Sequence, residues 1–392
     1  MTVTERFLKY VSYYTTSDEE SASAPSTARQ LELGKYIVSE LKALGLEAEL
    51  DEFGRVYSYL PANGSDAPAL GFIAHMDTSP DAPGENVNAR IVRYEGGDLG
   101  HISADKFPSL KKYVNQDIVI TDGTTLLGAD DKAGIAEIIT AAEYLLAHPE
   151  ISHRGMALAF TPDEEIGCGA DHFNFEKFLA KSAYTVDGGE LGELEYENFN
   201  AASAVVTVHG VNIHPGEAKG KMKNAALIAA DFVSHMPEFE IPACTEGYEG
   251  FYHINSIAGN ETEAKVAMII RDHDMEKFLA RKAFVAKLTS RLNEVYGNGT
   301  LELMMKDSYY NMKDKILPHM ELIHNAEKAF RNAGVEPKIV PIRGGTDGAL
   351  LSYQGLPCPN LSTGGVNFHG VHEYIPVQSM EKMVDVIINL VK

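Results

Sequence analysis

The sequence predicts an α/β protein: a discontinuous larger domain, with a mixed sheet flanked by helices, and a smaller α+β domain inserted into it. Three observations predict this. Apolar runs of strand length alternate with helix-period segments through the first half of the chain. The middle region switches to alternating, half-buried strand patterns. The α/β pattern then resumes and runs to the C-terminus. With 392 residues, 44% of them hydrophobic, the chain is long enough for two domains and a sizeable core.

Each element follows from its own pattern. Met1 to Tyr13 mixes charges into an amphipathic stretch and lacks the continuous apolar core of a signal peptide. Residues 70–75 (Leu-Gly-Phe-Ile-Ala-His) read as a buried strand ending in a histidine. After Gly128, the segment from Lys132 to His148 places Ile135, Ile138, Ile139, Ala142, Leu145 and Leu146 on one helical face. Residues 156–161 form the next strand, halted at Pro162. Residues 183–187 form another, ending at Asp187 ahead of Gly188 and Gly189. Ala204–Val208 and Ala264–Ile270 alternate as half-buried strands, each followed by a helical stretch, which sets the insertion at 203–310. Leu317–Asn332 and Ser379–Val391 are the helices of the resumed pattern. The larger domain is thus 1–202 with 311–392.

Composition narrows the classes of function. A net charge of −22 argues against a nucleic-acid surface, which needs clustered Lys and Arg. Cys168, Cys244 and Cys358 are an odd number, far apart and without a CxxC pair, so neither a disulfide framework nor a thiolate zinc site is expected. A reducing, cytoplasmic compartment fits them. No stretch approaches the length of a transmembrane helix, so no membrane partner is expected.

The chemistry-bearing residues lie at strand ends and glycine turns. They are His75-Met76-Asp77, Asp130-Asp131, Asp163-Glu164-Glu165, Asp187 and His369-Gly370-Val371-His372-Glu373. Taken singly, a Glu-Glu pair is ordinarily a solvated face and an Asp-Asp pair a turn or cap. Together they can supply a set of two histidines and three carboxylates, a ligand set for two metals. In an open α/β sheet, side chains at the carboxyl ends of strands converge on one crevice. A His and carboxylate set without cysteine suits zinc, cobalt or manganese in a catalytic site.

The chain resembles the peptidase T branch of the M20 metallopeptidases nearly end to end. The resemblance is carried by His75-Met76-Asp77-Thr78-Ser79-Pro80, Leu127–Gly134, Thr161–Glu165, Val186–Gly189, His214-Pro215-Gly216, Thr245–His253, Arg343–Gly348 and His369–Glu373. It implies that the larger domain is catalytic and that the insertion is a lid or dimerisation domain, through which the chain would form a homodimer. It also implies two divalent metal ions, most simply Zn2+. His75 and Asp187 would hold one, Glu165 and His369 the other, and Asp130 would bridge. Asp77 would fix the His75 tautomer, and Glu164 would be general base and acid. His214 would bind the oxyanion, and Arg271 would grip the substrate carboxylate with the planar fork that suits it, with Arg343 a second candidate. The peptide between Asp130 and Asp131 would be cis. His172, His253, His273 and His372 read as structural or surface histidines, with His372 the nearest to an exception.

The expected activity is hydrolysis of the first peptide bond of short peptides, with tripeptides as substrates. Two alternatives stand beside it. One is a two-metal carboxypeptidase or N-acyl-amino-acid deacylase. Asp187 weighs against it, because by resemblance the aminopeptidases of this group use Asp there and the others Glu. The other alternative is a non-catalytic peptide-binding protein on the same scaffold, for which a retained Glu164 would have no use.

Overall fold

The alternation read along the first half of the chain becomes a mixed sheet. The structure, a computed structural model, describes residues 1–392. They form two units: Met1–Tyr196 with Met312–Val340 and Thr346–Lys392, and Glu197–Asn311 with Pro341–Gly345. The second unit starts ahead of 203 because its first strand begins at Asn200.

In chain order the first unit opens with α1 (Val3–Val11), α2 (Gln30–Ala43), β1 (Ala48–Leu50), β2 (Val56–Leu60), β3 (Leu70–His75), β4 (Arg90–Tyr94) and β5 (Gln116–Ile120). It continues with α3 (Ala129–Ala147), β6 (Met156–Thr161), β7 (Ala183–Gly188) and β8 (Glu193–Glu195). The second unit holds β9 (Asn200–His209), α4 (Ala225–Ser234), β10 (Phe251–Gly259), β11 (Glu263–Asp272), α5 (Met275–Tyr296) and β12 (Leu301–Tyr309). The first unit then resumes with α6 (Lys313–Ile316), α7 (Met320–Asn332), β13 (Lys338–Ile339), α8 (Asp347–Tyr353), β14 (Asn360–Ser362), β15 (Tyr374–Pro376) and α9 (Val377–Val391).

The main sheet of the first unit has the order β1-β2-β6-β3-β7-β14-β8-β13. Its centre, β6-β3-β7-β14, is parallel. Strands β3 and β6 are buried at every position, which is why they read as unbroken apolar runs. A second sheet, β15-β5-β4, is antiparallel. Helix α3 buries Ile135, Ile138, Ile139, Ala142 and Leu145. Leu146 departs from the expected face: it lies in the last turn and is 39% exposed. Where α3 crosses β7 the residue is Gly134. A Cβ there would lie 2.0 Å from the Val186 carbonyl oxygen, so only glycine allows the helix this close. At the N-terminus, Thr2 accepts the Glu5 N–H and Glu5 reaches back to Thr2, a capping box that starts α1.

The second unit is a four-stranded antiparallel sheet, order β10-β11-β9-β12, with α4 and α5 packed on it. Val206, Val208, Val266, Met268 and Ile270 meet Phe232, Phe278 and Val285 in its core. Asn224 and Asp274 start the two helices by accepting the N–H groups of Leu227 and Lys277. No helix of the chain is long and apolar enough to cross a membrane.

Candidate active site

Three adjacent parallel strands bring the site together. From central β3 the chain passes to β6 on one side and β7 on the other, with His75 opposite Thr161 and Ile73 opposite Thr185. Their carboxyl ends therefore open side by side at a switch point of the sheet. His75 ends β3, Asp163–Glu165 follows β6, and Asp187 is the penultimate residue of β7.

All five expected metal ligands converge there. His75 Nε2 lies 2.8 Å from one Asp130 oxygen and 3.3 Å from Asp187. His369 Nε2 lies 3.2 Å from the other Asp130 oxygen and 3.0 Å from Glu165. Asp130 thus faces an imidazole with each oxygen, the geometry of a bridging carboxylate. Donor atoms of His75, Asp130 and Glu165, and likewise of His75, Asp131 and Asp187, lie within 4.8 Å of one another. The Asp130–Asp131 peptide is cis.

The electrostatics fit a pair of cations. Burial, and then Asp130, pushes the Glu165 carboxyl up to about 7, and burial pushes Asp187 up to about 7. Burial and the nearby Asp187 hold Glu164 well above the usual carboxylate range. Bonds from Asp130 and Glu165 push the His369 imidazole up to about 11. Burial opposes charge on His75, yet Asp187, Asp130 and Asp77 hold its pKa well above the histidine range. The cluster therefore needs positive charge, which protons on the imidazoles supply when metals do not. Glu165 Oε1 is buried without a hydrogen-bond partner, an oxygen whose lone pairs a divalent ion would take.

The loops are held from behind by other buried carboxylates. Asp77 accepts the N–H groups of Glu164 and Glu165 at 3.0 and 3.2 Å. Its carbonyl is 3.1 Å and its carboxylate 3.3 Å from His75 Nδ1, which leaves Nε2 free for a ligand role. Asp131 accepts the N–H of His75 at 3.1 Å and of Gly134 at 3.2 Å. Asp163 is in the left-handed region (φ 61°), and its carboxylate is bound by Ser26 and Gln30 from the N-terminal segment. Glu373 accepts four backbone N–H groups, Leu127 through Asp130. Sequence reasoning gave none of Asp131, Asp163 or Glu373 a task. The available signal was their place inside or beside the ligand motifs.

The remaining expected residues lie in the second unit. His214 is exposed, accepts the Gly216 N–H at 3.2 Å and lines an open cleft with Asn212, Asn224 and Glu261. Arg271 donates through Nη1 to the Arg343 carbonyl at 3.1 Å, while its Nε has no partner. Arg343 spends its fork on the Gly247, Glu249 and Thr245 oxygens and stacks on Phe199 and Phe251. Of the two arginines, Arg271 has donors left for a ligand. The other histidines pack: His372 against Phe107 and His101, His172 against Phe53, and His273 against Phe199.

The chain is similar to known proteins over its whole length. Residues 196–300 match the model of a peptidase dimerisation domain. The chain is 55% identical to a peptidase T of Caldanaerobacter subterraneus over all of this chain and 98% of the relative. Among solved structures it is similar to a tripeptidase of Staphylococcus aureus, with a TM-score of 0.80 and 22% identity over 100% of this chain and 97% of that one. It is also similar to a dinuclear metal-binding peptidase of the M20 family from Bacillus subtilis, with a TM-score of 0.67 and 14% identity over 99% and 96%.

Proposed function

The chain belongs to the peptidase T family of M20 metallopeptidases, and from that premise we propose that it removes the N-terminal residue from tripeptides. The observation that carries the reading is the bridging geometry: Asp130 between His75 and His369, with Asp187 and Glu165 beside them. Two divalent ions held by these five residues, zinc in the simplest reading, would polarise the scissile carbonyl and acidify a water molecule. Glu164 takes the proton from the attacking water at its carboxylate and passes it to the leaving amine. Its buried setting beside Asp187 raises its proton affinity, which suits the taking of a proton from water. Asp77 keeps His75 in the tautomer that presents Nε2. Arg271, with free donors, is the better candidate for the substrate carboxylate, and His214 for the oxyanion.

The two lie far apart within the second unit. Arg271 pairs with Ala201 at one end of β9, whereas the strand runs on to His209 before the turn that bears His214. Eight residues of strand span about 26 Å, against about 10 Å for an extended tripeptide. One chain's Arg271 and His214 therefore serve different substrates, and His214 acts on the partner's site in a homodimer. The three unpaired cysteines agree with a cytoplasmic home.

A hydrolysis panel tests the activity: one tripeptide free and N-acetylated, the matching di- and tetrapeptide, and an N-acyl amino acid. The free tripeptide should be cleaved best, and acetylation should cost roughly a hundredfold or more in kcat/KM, because it removes a charge that the site must pair. Preference for the acetylated or acyl substrates would instead identify a carboxypeptidase or deacylase.

A further inference from the structure

We propose that Glu373 is a positioning residue for the metal centre: its carboxylate ties the loop of Asp130 to the loop of His369 and so sets the affinity of the ion held by Asp130, Glu165 and His369. The inference rests on the two-metal reading above.

Glu373 is 1% exposed. Its Oε2 accepts the N–H groups of Leu127 and Gly128 at 2.7 and 2.8 Å. Its Oε1 accepts those of Ala129 and Asp130 at 2.7 and 3.1 Å. These groups belong to the turn that leads into α3, whose continuous helical stretch begins after Asp130 and Asp131, both non-helical in φ/ψ. The residue at the local cap position is Gly128, left-handed at φ 80° and with no side chain to offer. A carboxylate from 243 residues beyond Asp130 holds this turn instead. Four convergent backbone N–H groups in a turn form a seat for an anion.

The same residue is built into the turn that carries His369. The Glu373 N–H donates to the Gly370 carbonyl, and Val366 and Tyr374 exchange backbone hydrogen bonds across the turn. Strand β15, which begins at Tyr374, then pairs with β5 and anchors that end of the turn. His369 stands near the tip at φ 62° with its side chain 43% exposed. His75, by comparison, is fixed within β3 at 2% exposure. The ion held by His75 and Asp187 has its ligands on two central strands. The ion held by His369 has one on an exposed turn, tied back through Glu373.

A carboxylate is needed, not merely a polar side chain. It offers two oxygens and no donor, whereas an amide would turn an NH2 group toward two backbone N–H groups and leave them unpaired.

The test uses the full-length protein, wild type, E373Q and E373D, stripped with a chelator and titrated with Co2+ by calorimetry and visible absorption. Thermal melts of the stripped proteins establish folding. Wild type should take up two ions. Folded E373Q should bind the first ion within a few-fold of wild type and the second about 10–100-fold more weakly, the range for loss of a partner that orients a ligand. Its turnover should return at saturating Co2+ with KM unchanged, and E373D should fall between the two. A folded E373Q with wild-type affinity for both ions, or with both weakened equally, overturns the proposal. Should E373Q not fold, E373D decides by the same criteria. Wild type binding fewer than two ions would overturn the two-metal reading instead, a result separate from those for Glu373.

Discussion

Glu164 and Glu165 are neighbours in the chain, and Asp77 holds both of their N–H groups, yet their carboxylates face different partners. Glu165 meets His369, whereas Glu164 lies among groups that include Asp187 and Asp347. On the proposed mechanism that division gives one carboxylate to a metal and one to a proton. Glu164→Gln should keep the metal content of wild type while kcat falls by a factor of about 10² to 10⁴, the span for a lost general base. Metal analysis beside steady-state kinetics checks this, and a parallel loss of metal would reverse the two assignments. The residues that gather at the site were legible in the sequence because their type and their place at strand ends and glycine turns are local facts. Glu373 was not, because its role depends on a loop 243 residues away, and neither was the consumption of Arg343 by carbonyls of the 245–249 segment.

Helix α3 is the element on which the site depends most directly, since it starts at the Asp130–Asp131 turn and crosses β7 at Gly134. Gly134→Ala would drive a methyl group into the Val186 carbonyl, one residue before Asp187. Backbone on both sides cannot yield as a side chain would, so the substitution should cost about 1–3 kcal/mol. Urea melts measure the cost, and unchanged stability would mean that the helix can slide. Among the elements, the buried strands and amphipathic helices were readable from periodicity. Strands β1, β2, β4, β5 and the edge strand β10 were not. Strand β10 is exposed over most of its length and broken by a bulge between Ile254 and Ser256, so it shows little alternation to read. Strands β1 and β13 are three and two residues long, too short for any period to register.

At the scale of the whole molecule, the length of β9 bears on the proposal that His214 serves a partner's site. Neither Glu164→Gln nor His214→Ala should be active alone. If His214 serves the partner, mixing the two after subunit exchange should restore about a quarter of wild-type activity, since half the dimers are mixed and one of two sites in each is intact. No recovery despite verified exchange would place His214 in its own chain's site. Stability should also carry a pH signature from Glu195, which accepts a hydrogen bond from Asn360, the residue that binds the Asp187 N–H. Burial, then Glu193, pushes its carboxyl from the ordinary 4.5 up to about 8. The folded chain therefore keeps a proton that the unfolded chain releases, and this contribution to stability is lost as pH rises from about 4.5 through about 8. Glu195→Gln should melt like wild type near pH 5 and above it near pH 9. Equal melting temperatures at both would show that Glu195 does not titrate there.

The second unit is drawn from two stretches of chain, and the shorter, Pro341–Gly345, lies thirty residues past the end of the longer. Those five residues are stitched in: Ile342 donates to the Glu197 carbonyl, His273 reaches the Ile342 carbonyl, and Arg343 holds the 245–249 segment. A gene exchange that traded only codons 197–311 with a relative would pair a foreign sheet with a resident strap. A chimera that respects the packing of this unit must therefore carry both stretches together.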